Sequence, residues 1–308
     1  MMERKCYGLT LTNGNQQPCY YPPGIYLGLS NEDYHADGAL SNSGMKTLRN
    51  KEPIDYWHGV KAFNVNGTFK PQRTKAMDDS DMFHTRLLEP ERFYETYQPA
   101  GEKMLDPKKK IMARRTYEDI EQSIAILERS QRAKMLFSGG VCEVSIFFPD
   151  PETGLMLRIR PDYLKPSVCI DYKAHAQLNK IDAKYHIAKY GYDVQAGVYV
   201  EGINIIRQMI LKGEAGVYGD FPDQWLNAFL SEKDTRFVTA FQRKEAPFIV
   251  KTMEIATDIG GLGREKAREA ITTYVQCLHE YGVNEWPSGG NDIELLTLDD
   301  MPPSIFYN

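Results

Sequence analysis

Three β-runs follow one another between residues 141 and 173, and this succession limits the fold more than any other feature of the sequence. The runs VCEVSIFF, LMLRIRPDYL and VCIDYK are separated by PDPETG and KPS, which are typical of turns. Turns this short predict an antiparallel meander. Further strands are predicted in FVTAFQ and FIVKTMEI. Together with the helices described next, this order predicts an α/β (α+β) fold whose mixed central β-sheet is flanked by helices.

Helical patterns occupy much of the remaining chain. Apolar residues recur at three- and four-residue spacing within 107–137 and again within 182–208, which predicts amphipathic helices. A helix is predicted over about 75–88 and a long helix over roughly 262–281. The serines of LSNSGMK predict a helix cap at Ser41 or Ser43.

The composition is that of an ordinary globular protein. Residues 1–22 are rich in Asn, Gln, Gly and Pro and predict an irregular lead-in, whereas residues 23–308 predict one domain. Hydrophobic residues make up 42% and charged residues 26% of the chain. The net charge of −5 excludes a general coat for DNA but leaves room for one basic groove.

The cysteines and the apolar segments bear on the compartment. Five scattered cysteines, an odd number, favour a reducing cytosol without a disulfide framework. The N-terminus lacks an apolar core of signal-peptide length, and no run of eighteen apolar residues predicts a membrane span. The sequence therefore predicts a cytoplasmic protein that does not contact a membrane.

Two acids and a lysine interrupt the predicted meander. Asp171 and Lys173 are two residues apart in a strand, so their side chains share one face, and the KPS turn brings Asp162 beside Asp171. Neighbouring carboxylates raise each other's pKa unless a cation lies between them, and Mg²⁺ prefers such ligands. A lysine there can orient or activate water. Alternatively, an Asp-x-Lys triplet can be a solvated surface ion pair.

Four further polar residues stand in apolar surroundings, and each has an ordinary structural explanation as well. Gln195 and Tyr199 are four residues apart and share a helical face, although Tyr199 could belong to the core and Gln195 to the surface. Glu143 interrupts a strand, where it could simply face water. His84 could be a ligand or a satisfied helical histidine.

The order and spacing of these motifs resemble the PD-(D/E)XK nuclease superfamily. Its signature would be Pro161-Asp162 followed by Asp171-Tyr172-Lys173. The chain most resembles the RecE (exonuclease VIII) type of exodeoxyribonuclease, within the RecB-like and lambda-exonuclease-like branch. The likeness runs from YHADGALSNSGMKTL through FHTRLLEPERF and YGYDVQAGVYVEG to EWPSG, roughly residues 25–305. It implies that the mixed sheet is a PD-(D/E)XK nuclease core.

The resemblance assigns roles to the residues introduced above. The catalytic set that it implies is Lys173, Asp171, Asp162, Gln195 and Tyr199. The metal ligands that it implies are Asp162, Asp171, the backbone carbonyl of Tyr172, His84 and Glu143. Lys173 would position or activate the attacking water, and Gln195 and Tyr199 would contact the substrate backbone.

Two positions depart from the family pattern. Ser80 stands where a glycine is usual, and Ala174 stands where a threonine follows the lysine. Neither departure changes the acids or Lys173, so an active enzyme is expected.

The resemblance also implies the cofactor. Mg²⁺ is expected, Mn²⁺ should substitute for it, and the choice between one and two metal ions stays open. Some RecB-like nucleases hold an iron–sulfur cluster on four cysteines, three of them near the C-terminus. Cys277 stands alone in that region, so no iron–sulfur cluster is expected.

Basic residues supply candidates for contacts with DNA phosphates. The segment KKKIMARR precedes the first long predicted helix, and Arg160 precedes the Pro-Asp signature. The segment could equally be a solvated basic face. The predicted DNA-binding residues are Lys108, Lys109, Lys110, Arg114, Arg115 and Arg160.

The implied activity is degradation of linear double-stranded DNA from its ends, 5′ to 3′. It would leave 3′ single strands for a RecT-type annealing protein in recombination. The resemblance further implies a ring-shaped homo-oligomer, often a tetramer, encoded by a phage or prophage of a bacterial host. Two alternatives remain, a PD-(D/E)XK endonuclease and a catalytically inert DNA-binding module, and cutting of closed circular DNA would separate the endonuclease from the exonuclease.

Overall fold

Two five-stranded β-sheets form the centre of the fold in this computed structural model. The structure describes residues 5–67, 75–102, 105–176, 178–288 and 297–301, so residues 1–4 of the predicted lead-in and the tail after 301 lie outside the described residues. The strands are β1 (Gly24–Tyr26), β2 (Leu40–Ser41), β3 (Tyr97–Pro99), β4 (Lys110–Met112), β5 (Val141–Cys142), β6 (Ser145–Pro149), β7 (Met156–Ile159), β8 (Tyr163–Lys165), β9 (Val168–His175), β10 (Gly216–Tyr218), β11 (Arg236–Arg243) and β12 (Val250–Ile255). The helices are α1 (Asn31–Ala36), α2 (Asn42–Asn50), α3 (Pro53–Gly59), α4 (Lys75–Leu88), α5 (Pro90–Thr96), α6 (Arg114–Arg129), α7 (Gln131–Leu136), α8 (Lys180–Lys189), α9 (Tyr192–Leu211), α10 (Asp223–Ser231), α11 (Thr257–Tyr281) and a 3₁₀ turn at Leu298–Asp300.

Both large sheets are mixed. The first has the spatial order β10-β1-β6-β7-β2 and the second has the order β12-β11-β9-β8-β5, while β3 and β4 form a separate pair. In the second sheet β9 runs antiparallel to β8 and parallel to β11. Helix α9 packs against β6, α11 packs against α9, and α4 packs against β9. The predicted α/β fold is therefore confirmed, although the described residues form two large sheets rather than one.

The predicted three-strand meander is wrong in one respect, because its first two strands are each divided between the sheets. β5 pairs with β8 in one sheet, whereas β6 pairs with β7 in the other. The division falls at Glu143, whose φ of 52° puts it in the left-handed region, and opposite it at Asp162. A hydrogen bond of 3.1 Å from Glu143 N to Asp162 O joins the two strands at this point. Neither residue belongs to a strand, so the regular ladder is interrupted at this point.

The long predicted helices are also divided. The segment 107–137 contains β4, α6 and α7, so the predicted helix is wrong at its N-terminal end and is interrupted at Ser130. The segment 182–208 is broken at Gly191, whose φ of 65° suits glycine and separates α8 from α9. The predicted cap at Ser41 is confirmed, since its hydroxyl accepts a hydrogen bond from Gly44 N.

Strand β9 lies between two apolar cores, and this arrangement fixes where its polar side chains point. Ile170 and Tyr172 pack on one side in a core that includes Phe83 of α4. Cys169 packs on the other side with Val194 of α9. Because side chains alternate along a strand, the acid and the lysine of the DYK motif share the side that faces α9.

Helices α9 and α11 approach closely at glycines. A Cβ added to Gly197 would lie 2.3 Å from Gly260 O, and one added to Gly263 would lie 2.0 Å from Asp193 O. No larger residue fits there without a backbone shift. The close crossing fixes the first half of α9 against α11.

The described part of the lead-in packs against the domain. Gln17 is fully buried, its Nε2 donates to Met156 O at 2.8 Å, and its Oε1 accepts from Met156 N at 2.8 Å. Asn15 Nδ2 donates to Leu278 O at 2.9 Å, which joins the lead-in to α11.

Among the residues with described structure, we find no helix that combines the length and the apolar character needed to cross a bilayer.

Candidate functional site

The carboxylate of Asp171 is buried in the middle of β9, and two side chains donate to one of its oxygens. Lys173 Nζ lies 2.8 Å from Asp171 Oδ1, and Gln195 Nε2 from the first turns of α9 lies 2.6 Å from the same oxygen. The other oxygen, Oδ2, is buried and has no hydrogen-bond partner among the described residues. An unpartnered buried carboxylate oxygen is costly, which makes this oxygen suited to a bound cation.

Asp162 and His84 meet beside β9. Asp162 lies between β7 and β8, and its Oδ2 accepts a hydrogen bond of 2.6 Å from Tyr172 N. Helix α4 brings His84 Nε2 to 3.0 Å from the same Asp162 oxygen and to 3.1 Å from Tyr172 O. His84 Nδ1 lies 3.9 Å from Glu143 Oε1 on its other side. The ring of His84 therefore lies between two carboxylates.

These groups form a donor set that fits a divalent metal ion. His84, Glu143 and Asp162 each offer a ligand atom, and the three atoms lie within 4.8 Å of one another. The carbonyl oxygen of Tyr172 lies beside the same imidazole. Carboxylates, an imidazole and a backbone carbonyl are ligands of Mg²⁺ and Mn²⁺ in proteins.

Burial and neighbouring charges shift the pKa values of these groups. Burial raises the pKa of Glu143 to about 7, and the Asp162 carboxylate adds to the shift. Burial also raises the pKa of Asp171 to about 6, although Lys173 opposes the shift. Burial lowers the pKa of His84, but Asp162 outweighs burial and raises it to about 9. A cation among these carboxylates would relieve their mutual repulsion.

The sequence matches a known protein family over the segment that carries the site. The sequence profile of a family described as "PDDEXK-like domain of unknown function (DUF3799)" matches residues 60–213, which are half of the chain. The chain belongs to this PDDEXK-like family. The matched segment contains all of the acids and the lysine described above.

A solved structure shows the same fold. The crystal structure of a protein from Eubacterium rectale, described as a "Putative exonuclease", is similar with a TM-score of 0.54 and 16% sequence identity. The match covers 81% of this chain and 86% of that chain. At this identity the likeness establishes a shared fold. No curated protein matches the chain.

The PDDEXK-like fold gathers most of the predicted catalytic and metal-binding residues at one point. Gln195 contacts Asp171 directly and is buried, so in this structure its amide holds the acid in place. Tyr199 is buried next to the site, and its hydroxyl donates to Arg160 O at 3.4 Å. The predicted contacts of Gln195 and Tyr199 with substrate stay predictions.

A cleft with a volume of about 830 Å³ opens on the His84 side of the PDDEXK-like site. Its described lining includes Glu143, His84 and Arg160. Arg160 is held by hydrogen bonds from its Nε to Ser145 Oγ at 2.9 Å and from its Nη2 to Leu29 O at 3.1 Å. The predicted DNA-binding role of Arg160 is thus compatible with a guanidinium fixed beside the candidate metal ligands.

The other predicted DNA-binding residues lie farther from this centre. Lys110 Nζ lies 5.9 Å from the ring centroid of Tyr97, a residue that lines the cleft. Arg114 pairs with Glu102 at 3.1 Å, and Arg115 pairs with Asp119 at 3.8 Å. The remaining two, Lys108 and Lys109, are exposed or half-buried residues of the turn before β4. None of these five basic residues is among the described residues that line the cleft.

The two departures from the family pattern contact each other. Ser80 Oγ donates to Ala174 O at 3.4 Å, and Lys244 Nζ lies 3.5 Å from the same hydroxyl. A serine at position 80 therefore joins α4 to the end of β9 without displacing His84.

The sequence patterns do not single out Lys46 and Tyr192 as site residues, although both lie beside Lys173. Lys173 Nζ lies 5.2 Å and Lys46 Nζ lies 5.7 Å from the ring centroid of Tyr192. Lys46 lies in the segment SNSGMK and Tyr192 in the segment YGYDVQ, and both segments belong to the part of the chain that resembles the RecE type. Periodicity alone assigns both to helix faces without indicating that the faces meet.

Glu143 offers a test of strain at the PDDEXK-like site. Its positive φ disfavours any side chain, and its carboxylate is crowded by Asp162. Replacement of Glu143 by glycine should therefore stabilise the fold by about 1 kcal/mol while weakening metal binding. Urea unfolding and metal titration measure the two effects. Glu143→Ala removes the same carboxylate but keeps Cβ, so equal stability of the alanine and glycine variants would contradict the strain.

Proposed function

We propose that this protein is a Mg²⁺-dependent exodeoxyribonuclease that degrades linear double-stranded DNA from its ends. The proposal is carried by the buried Oδ2 of Asp171, which has no hydrogen-bond partner among the described residues, together with the group of His84, Glu143 and Asp162. Lys173 contacts the other oxygen of the same acid. This combination of hard ligands and a fixed ammonium group serves phosphodiester hydrolysis.

The residues divide into ligands and a positioned cation. The metal ion would be held by Asp162, Asp171, His84, Glu143 and the backbone carbonyl of Tyr172. When bound, Mg²⁺ or Mn²⁺ supplies shielding of charge on the phosphodiester and lowers the pKa of a water molecule. Gln195 orients Asp171 by donating to its Oδ1.

Lys173 serves as an ammonium group. Burial lowers the pKa of Lys173, but Asp171 and then Asp162 outweigh burial and raise it above its usual value. Lys173 is therefore protonated, and it orients the attacking water and stabilises negative charge on the phosphate rather than acting as a base. Hydrolysis joins the water oxygen to phosphorus, breaks the bond to the 3′-oxygen and delivers a proton to that oxygen.

The exonuclease form of the proposal has its own support. It rests on the resemblance to the RecE type and on the shared fold with a protein described as a "Putative exonuclease". We propose 5′-to-3′ degradation that leaves 3′ single strands for an annealing protein of the RecT type in recombination. The cytoplasmic phage or prophage origin, the ring-shaped homo-oligomer and the annealing partner rest on the resemblance and stay predictions, and sedimentation of the purified protein measures the oligomeric state.

Cleavage of linear and circular DNA tests the activity. The purified protein is incubated with end-labelled linear duplex and with covalently closed circles, in Mg²⁺, in Mn²⁺ and in EDTA. We expect the linear duplex alone to be shortened, with early release of a 5′ label, and no reaction in EDTA. Asp162→Asn should be inactive at equal protein concentration.

The alternative outcomes are distinct. Nicking of the circles would replace the exonuclease by an endonuclease. Retained DNA binding without cleavage in either metal ion would leave an inert DNA-binding module and overturn the proposal.

A further inference from the structure

A half-buried lysine lies beside the candidate catalytic centre and has no acidic partner among the described residues. Lys46 is in α2, and none of the described carboxylates forms an ion pair with it. The nearest acids are already engaged, because Asp171 accepts from Lys173 at 2.8 Å and Asp193 accepts from Lys266 at 2.5 Å. The positive charge of Lys46 is therefore not neutralised within the described residues.

The fold makes room for this side chain. Its Cε would lie 3.0 Å from a Cβ added to Gly191, the residue at which α8 ends and α9 begins. The ring of Tyr192 then supports the ammonium group at 5.7 Å from its centroid. A glycine in the left-handed region and an aromatic ring thus hold Lys46 at one position.

Lys46 and Lys173 each place an ammonium group near the ring of Tyr192, at 5.7 Å and 5.2 Å from its centroid. Burial lowers the pKa of Lys46, and the charge of Lys173 lowers it further. Asp171 and Asp193 raise the pKa of Lys46, but burial and Lys173 outweigh them, so the two ammonium groups still repel each other. An anion between them would remove the repulsion.

We propose that Lys46 binds a backbone phosphate of the DNA strand next to the phosphate that is cut. The inference rests on the proposed function, since it is the nuclease site that brings a phosphodiester to Lys173. His84 contacts Asp162, and Asp171 contacts Lys173. Lys173 and Lys46 both lie near the ring of Tyr192. Lys46 would therefore fix the strand on the side of Lys173 while the acids hold the metal.

DNA binding in EDTA tests this role without requiring cleavage. Lys46→Met keeps the aliphatic stem on Tyr192 and removes the charge. The variant should bind a labelled duplex about 3- to 10-fold more weakly, and the slope of log K against log salt should fall by about 0.9, as for one lost phosphate contact. Lys46→Arg should restore most of the affinity.

Lys212 provides the matched control. It is an exposed lysine at the other end of α9, about 30 Å from Tyr192 along the helix axis. Lys212→Met should leave both the affinity and the salt slope unchanged. Thermal unfolding of each variant verifies the fold, and Lys46→Gln serves as a second neutral variant if the methionine variant unfolds.

The outcomes separate the two hypotheses. Wild-type affinity and slope in Lys46→Met and Lys46→Gln would overturn the phosphate contact while leaving the nuclease intact. An equal loss in Lys212→Met would also overturn it, because the effect would then reflect overall charge. Absence of cleavage by the wild type would overturn the proposed function, whereas the salt slope in EDTA would still decide the role of Lys46.

Discussion

Replacing Lys173 by methionine should lower the rate of DNA cleavage by about 10²- to 10⁴-fold, the range for loss of a positioned catalytic group. The ammonium group contacts Asp171 Oδ1 at 2.8 Å, and methionine keeps much of its apolar stem without a donor. Single-turnover cleavage of a labelled duplex at saturating enzyme measures the chemical step directly.

The control for this prediction is metal binding. Loss of Lys173 raises the pKa of Asp171 further, so the assay belongs at a pH well above the value of about 6 that Asp171 has in the intact site. Under that condition Lys173→Met should still bind Mn²⁺ in a calorimetric titration, whereas Asp162→Asn should not. Full activity in Lys173→Met would exclude the lysine from the reaction, and parallel loss of metal binding would make its role structural.

Replacing Arg268 by methionine should reduce the free energy of unfolding by about 3 kcal/mol, the lower end of the range for breaking a buried ion pair. Asp150 is 1% exposed in the turn between β6 and β7 and receives both terminal nitrogens of Arg268 from α11. Without the arginine, Thr153 remains as its donor, through its backbone N–H and its hydroxyl. Urea unfolding of the two proteins at neutral pH measures the difference.

The pH dependence and a neighbouring acid distinguish this ion pair from a general charge effect. Burial raises the pKa of Asp150, but the hydrogen bonds from Arg268 and Thr153 outweigh burial and hold it below its usual value. The stabilisation is therefore present above about pH 4, the unfolded value, and is lost as the pH falls through the folded pKa. Glu152 is exposed and lies 3.5 Å from the same arginine, so Glu152→Gln should change stability by less than about 1 kcal/mol. Equal effects of the two substitutions would contradict the account.

The sequence predicts the class of fold and the identity of the central acids. Period-two alternation is a local property, so the strands and the shared face of Asp171 and Lys173 follow from it. The likeness to PD-(D/E)XK nucleases then connects these residues with His84 and Glu143, which lie in other segments. Their meeting within 4.8 Å around Asp162 is seen only in the folded chain.

The features that the sequence does not predict depend on single dihedral angles or on contacts between distant segments. The division of the hairpin between two sheets depends on the positive φ of Glu143, and glutamate carries no signal for that conformation. The position of Lys46 depends on the meeting of α2 with Gly191, which are far apart in sequence. Amphipathic periodicity predicts a helix face but not the neighbour that covers it.

Gln17 has a consequence for the association of one molecule with another. Strand β2 pairs with β7 only at Leu157 and Arg158, so Met156 would present a free amide and a free carbonyl at the sheet edge. The side chain of Gln17 takes both groups and occupies the place of a further strand residue. A variant without this segment would leave the amide and the carbonyl of Met156 free to pair with strands of other molecules, and it is expected to aggregate.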